Sequence, residues 1–126
     1  MPIVHVRALP SHEPVDVRTV IEGLGEDIAA ATGIPLDRIS IAWTWLQPGH
    51  YVTGGVAGAT LDELQHPVLV DVQIPDLHPQ ERIERLLLAT AESLARRVGV
   101  ARENVRATAT TVRSGQVLSQ GRIERW

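Results

Sequence analysis

The sequence predicts an α+β fold in which tandem βαβ units form one four-stranded sheet with two helices on one face. Segments that alternate with period two and are rich in β-branched residues follow, and are followed by, segments with apolar residues at three- and four-residue spacing. That strand–helix–strand order occurs twice. The two occurrences also match in detail at a constant offset of 66 positions: Gly33-Ile34 through Asp37-Arg38-Ile39 corresponds to Gly99-Val100 through Glu103-Asn104-Val105, and residues 48–55 correspond to 114–121. Two such units with right-handed crossovers bring four strands into one sheet and both helices to one side. The chain of 126 residues is therefore expected to be a single domain made of two repeats, about 1–64 and 65–126.

The first strand is expected at residues 2–9, Pro2-Ile3-Val4-His5-Val6-Arg7-Ala8-Leu9. Ser11-His12-Glu13-Pro14 then reads as a turn and helix entry, because proline is tolerated in a first helical turn. Val17, Val20, Ile21, Leu24 and Ile28 give the following helix one apolar stripe, Gly33 stops it, and Gly23 and Gly25 weaken it from within. Residues 39–46 alternate and carry Trp43 and Trp45, so they form a strand, with a hairpin over residues 47–55 and a connector over 57–66. The second unit opens with a strand at residues 68–74. Pro79 begins a helix whose buried face carries Ile83, Leu86, Leu87, Thr90, Leu94 and Val98, with Gln80 and Glu81 in its first turn, Arg96 and Arg97 in its last and Gly99 at its end. Residues 105–112 supply the fourth strand. The first strand carries Ile3 beside Val4 and Val6, apolar residues on both faces, so the uncovered face of the sheet is expected to be buried against other copies of the chain.

Composition narrows the function. A net charge of −3 and a pI near 5.9, with one Tyr, three Trp and no Phe, give neither a basic footprint nor stacking platforms for nucleic acid. No apolar run reaches the roughly 18 residues of a membrane span, and the N-terminus lacks a signal-peptide pattern, so a soluble cytoplasmic protein is expected. The absence of cysteine excludes disulfides, thiolate metal sites and a cysteine nucleophile. His5, His12, His50, His66 and His78 show no ligand spacing, so neither a metal nor another cofactor is expected.

Pro2 is the residue on which chemistry can rest. Removal of Met1 turns its nitrogen into a free secondary amine, and an α-amine that is desolvated or placed beside cations shifts toward the neutral form that takes a proton or attacks a carbonyl. His12 and His50 are candidates for proton shuttling or substrate binding, since the ordinary histidine pKa of about 6.5 suits either task. Gly54 and Gly55 suit a hairpin that needs positive φ. Tyr51 is either filler of a core or interface, or a pocket wall. Arg106 lies on a strand face of Ala and Thr, where it either meets solvent or clamps a carboxylate bidentately.

The N-terminal proline on a βαβ unit and the segment Gly49-His50-Tyr51-Val52-Thr53-Gly54-Gly55 resemble the tautomerase superfamily, aligned without gaps from Pro2 through the first half of the chain and as a diverged repeat in the second. The length resembles that of its fused, trimeric branch, which includes malonate semialdehyde decarboxylase, cis-3-chloroacrylic acid dehalogenase and macrophage migration inhibitory factor. The resemblance implies a homotrimer with sites near subunit interfaces, and a cofactor-independent tautomerase in which Pro2 is the general base acting on a small enol or 2-oxo acid. Tyr51 falls where 4-oxalocrotonate tautomerase has an aromatic pocket wall. That enzyme's two carboxylate-binding arginines fall on His12 and Ser40. Arg106 occupies the position equivalent to Ser40 in the second repeat, and Arg38 stands one position before Ser40, so substrate binding is expected from Arg106, Arg38, His12, Tyr51 and His50. The dehalogenase's glutamate, histidine and tyrosine fall on Ser119, Ala29 and Thr108, and its arginine pair on residues 76–78, which implies weak or no hydrolytic dehalogenation. Other readings stay open: a noncatalytic or signalling trimer, an amine nucleophile that forms an iminium with an aldehyde, and a dehalogenase-hydratase-like or decarboxylase-like member of the superfamily.

Overall fold

A computed structural model describes residues 1–126. Its elements are β1 (Ile3–Ala8), α1 (Val17–Thr32), β2 (Ser40–Trp45), β3 (Val52–Thr53), β4 (Val56–Ala57), β5 (Val68–Pro75), α2 (Gln80–Val98), β6 (Val105–Val112), β7 (Val117–Ser119) and β8 (Arg122–Glu124). Short 3-10 turns at Leu36–Arg38 and Arg102–Asn104 lead into β2 and β6. The main sheet has the order β2-β1-β5-β6; β1 runs parallel to β2 and β5 parallel to β6, while the central pair β1 and β5 is antiparallel. Each half is thus a right-handed-crossover unit of the expected kind, and β3–β4 and β7–β8 are separate two-stranded hairpins.

The strand period of two decides what the helices cover. Val4, Val6 and Ala8 of β1 and Val68, Val70, Val72 and Ile74 of β5 are buried in one apolar cluster with Val20, Leu24 and Ile28 of α1 and Ile83, Leu86 and Leu94 of α2. Each fully buried Leu or Ile contributes roughly 1.5–3 kcal/mol relative to an exposed one. Residues of the alternate register emerge on the opposite face, and here the expectation of a second apolar face is corrected. Ile3 is exposed there with Ala42 and the partly buried Leu69, but most of its companions are polar: His5, Arg7, Thr44, Asp71, Gln73, Arg106, Thr108 and Thr110. They pair across strands: Arg7 donates to Asp71, Thr108 Oγ1 donates to Asp71 Oδ1 at 3.3 Å, and His5 Nε2 meets Thr44 Oγ1 at 2.8 Å. The face is thus mixed rather than apolar, and Arg7 Nε remains buried on it without a partner.

Helix termini follow sequence chemistry with small shifts. α1 begins later than the Ser11–Pro14 segment, because Asp16 caps it by accepting from the Thr19 N–H at 3.4 Å. Gly33 and Gly99 end the two helices in the left-handed region, with φ of 77° and 88°, and each returns its N–H four residues back. Gly23 does not merely weaken α1: a Cβ there would overlap the Arg97 guanidinium, which crosses the helix to reach Asp27. Asp27 accepts from Ser93 Oγ and from Arg96 Nη2 (2.8 Å) and Arg97 Nε (2.9 Å), so one carboxylate ties α1 to α2. The first hairpin sits later than residues 47–55, because the pair with positive φ on which it turns, Gly54 (58°) and Gly55 (79°), joins β3 to β4.

Candidate active site

Pro2 is buried immediately before β1, and its carbonyl accepts the Ser40 N–H at 3.0 Å, which fixes the strand start against β2. A cleft of about 290 Å³ opens beside it, lined by Met1, Pro2, Ile34, Pro35, Arg38, Leu77, His78 and Arg82, with Gly33 at its edge. Four elements converge there. The turn after α1 brings Ile34 and Pro35, the 3-10 turn before β2 brings Arg38, the β5–α2 turn brings Leu77 and His78, and the first turn of α2 brings Arg82. On the other side of the N-terminus a smaller pocket of about 120 Å³ is lined by Met1, Gln73, Ser119 and Glu124, among others.

The charge in the cleft is unbalanced. Arg38 makes no ion pair, and Arg82 meets no carboxylate; its Nη1 contacts His78 Nδ1 at 3.2 Å and its Nε–H is buried without an acceptor. Arg82 also stands at the positive end of the α2 dipole, where a cation is disfavoured. The amino group at the chain start feels this setting: burial pushes it below its ordinary value, Glu124 opposes that shift, and Arg38 adds to it. His78 is lowered as well, by burial, by Arg82 and by the N-terminal charge. The chain contains no lysine, so its amino terminus is its one aliphatic amine.

The expected site residues divide between two ends of the sheet. Arg38 joins Pro2. Tyr51 lies at the far end of β1, about 17 Å away at roughly 3.3 Å per residue, donating its hydroxyl to the Pro67 carbonyl at 3.1 Å and meeting the His66 ring edge-on at 5.2 Å. Burial raises the Tyr51 pKa, against a hydrogen bond with Thr53 and the nearby charges of Arg106 and Arg7. Arg106 pairs in register with Leu69 at that same end. His12 lies 3.8 Å from Asp62, and His50 is exposed in the loop beyond β2, also at this end. One chain therefore brings Pro2 and Arg38 together and leaves Tyr51, Arg106, His12 and His50 apart from them.

His78 and Arg82 were not foreseen as site residues. A signal for each exists in the sequence: His78 lies 66 positions after His12, the repeat offset, and Arg82 places a cation in a first helical turn. Glu124, which approaches the N-terminus from β8, leaves no comparable mark.

No family model matches the sequence, and no curated protein matches it. Solved structures share its architecture closely. A crystal structure of Pt0534 inactivated by 2-oxo-3-pentynoate superposes with a TM-score of 0.82 at 16% identity, covering 97% of this chain and 94% of that one. A symmetric trimer of wild-type fused 4-OT gives 0.81 at 16% identity over 97% and 94% of the two chains. Malonate semialdehyde decarboxylase gives 0.70 at 16% identity over 96% and 93%. With a mixed four-stranded sheet and two helices on one face of it, the chain has the fold of the tautomerase superfamily.

Proposed function

We propose that this protein is a cofactor-independent tautomerase in which Pro2, freed of Met1, is the general base for a small enol or 2-oxo acid. The observation that carries this reading is the cleft itself: a buried Pro2 faces Arg38 and Arg82, two guanidinium groups without carboxylate partners. Pro2 nitrogen takes the enol O–H proton, the electron pair of that bond closes the carbonyl, and the resulting ammonium returns the proton to carbon. Pro2 is buried, and burial favours the neutral form of an amine, the form that takes a proton in the first half of this cycle. Arg82 and Arg38 hold the carboxylate and offset the negative charge of the enolate. Met1 lines the cleft, so its removal both creates the amine and opens space beside Arg82.

The reading extends to a homotrimer. Fused 4-OT forms symmetric trimers, and this chain exposes apolar residues on both hairpins, Val52 and Val56 on one and Leu118 and Ile123 on the other. In such an assembly the Tyr51 and Arg106 end of one subunit closes the Pro2 cleft of the next. Intact mass followed by phenylenolpyruvate or 2-hydroxymuconate turnover tests the proposal: Pro2→Ala is expected to lose most of the activity. Undiminished turnover by that variant, or a retained Met1 in active protein, would remove Pro2 from the mechanism. The inactivator bound in the Pt0534 structure, 2-oxo-3-pentynoate, supplies a second probe, with one adduct expected on the Pro2 peptide.

A further inference from the structure

Arginine donates through every nitrogen and accepts through none, so the 3.2 Å contact between Arg82 Nη1 and His78 Nδ1 requires an unprotonated Nδ1. His78 is therefore neutral with its proton on Nε2. The charged groups around it act in the same direction: Arg82 and Arg38 are cationic and disfavour an imidazolium, while Asp76 is turned away to accept from Trp126 Nε1 at 2.7 Å. Glu124 approaches the amine from its other side and does not line the cleft that His78 lines. The Nε2–H has no acceptor within the protein, and the ring forms part of the wall beside Pro2.

Arg82 has a matching vacancy in its bonding. With Nη1 engaged by His78 and Nε buried, Nη2 is the nitrogen of Arg82 left without a partner, and a substrate anion held by it would lie in the cleft that His78 also lines. Resting on the proposed role of Pro2, we infer that His78 is a further catalytic residue: a neutral imidazole, its tautomer fixed by Arg82, that donates Nε2–H to the C2 oxygen of a 2-oxo acid or its enolate. No proton leaves His78; the hydrogen bond strengthens as charge develops on oxygen and relaxes when the carbonyl closes. A neutral imidazole in this role is a known form of oxyanion stabilisation.

The experiment combines nitrogen NMR of the Met1-processed protein with kinetics. In ¹⁵N-labelled protein at pH 7 the His78 ring is expected to show a protonated Nε2 and an acceptor Nδ1, and Arg82→Met is expected to release this into a mixture of tautomers. His78→Ala should lower kcat for phenylenolpyruvate about 10²–10³-fold with little change in KM, whereas His78→Gln, which keeps an N–H near the Nε2 position, should recover at least tenfold of that loss. A protonated Nδ1 or an imidazolium at pH 7 overturns the inference, as does full activity of folded His78→Ala. If Pro2→Ala is fully active while His78→Ala is not, the general base fails and the His78 donor stands. If Pro2→Ala is inactive while His78→Ala and His78→Gln are equally impaired, the base stands and the donor role fails.

Discussion

Replacing Arg82 with methionine separates what its charge does from what its stem does. Methionine keeps an unbranched apolar chain of similar reach, so packing of the aliphatic portion against the first turn of α2 is largely preserved. The guanidinium contributes little to the fold: it pairs with no carboxylate, leaves Nε–H buried without an acceptor, and opposes the helix dipole. Removing such a group is neutral or stabilising, and the melting temperature is expected to stay level or rise. Catalysis responds in the opposite sense. Two charge-assisted hydrogen bonds to a carboxylate, discounted for the partial exposure of the residue, amount to about 2–3 kcal/mol, which is roughly a 30–150-fold loss in kcat/KM. Arg38 is exposed and serves as the control; its replacement by methionine should cost only about 0.5–1 kcal/mol, or roughly two- to fivefold. Ketonisation of phenylenolpyruvate, followed by absorbance, gives both ratios, and calorimetry gives the melting temperatures. A several-degree fall in melting temperature without loss of kcat/KM would assign Arg82 a structural role, and a larger kinetic loss at Arg38 than at Arg82 would refute the ranking by burial.

Three further expectations concern the scaffold and the assembly. Asp27→Asn should cost on the order of 1–2 kcal/mol at neutral pH; because Arg97 holds the Asp27 pKa below its ordinary 3.8, that difference is present above this value and vanishes as pH falls through the depressed one, which denaturant titrations from pH 7 to pH 2.5 will follow. Gly23→Ala should displace the flexible Arg97 guanidinium from Asp27, and the lost ion pair should offset the helix-propensity gain of about 0.5–1 kcal/mol, so net stability should change little, whereas in an Arg97→Ala background the same substitution should stabilise by about that gain. Pro2→Ala and Arg106→Ala proteins, each impaired alone, should regain activity when refolded together, because a mixed trimer brings an intact Pro2 of one subunit to an intact Arg106 of another; absence of recovery in verified mixed trimers would place Arg106 outside the site.

The fold was legible because its signals are local and repeated. Val4, Val6 and Ala8 alternate, the α2 stripe recurs at helical spacing, and Gly33 and Gly99 mark equivalent stops, so each element could be placed without knowing its neighbours. The outer face of the sheet was misjudged because Ile3 beside Val4 reads as apolar on both sides, whereas the partners that decide that face, Asp71 and Thr108, come from distant strands. Of the residues that line the candidate cleft, the sequence reading named only Pro2, whose chemistry depends on position in the chain, and Arg38. Arg82 and His78 escaped notice because their meaning lies in a missing acceptor and in a contact with each other, neither of which spacing reveals. Tyr51 and Arg106 were read as companions of Pro2, yet a strand's length separates them within one chain.

The antiparallel meeting of β1 and β5 gives the molecule an approximate two-fold axis, which exchanges the strand start at Pro2 with the one at Val68. At the second start the nitrogen is locked in a peptide bond behind Pro67, and Asn104, standing where Arg38 stands in the first half, is buried with its amide donating to the Leu61 carbonyl at 2.7 Å. With no lysine in the chain, an amine-directed reagent is therefore expected to saturate at one equivalent per chain however symmetric the backbone is.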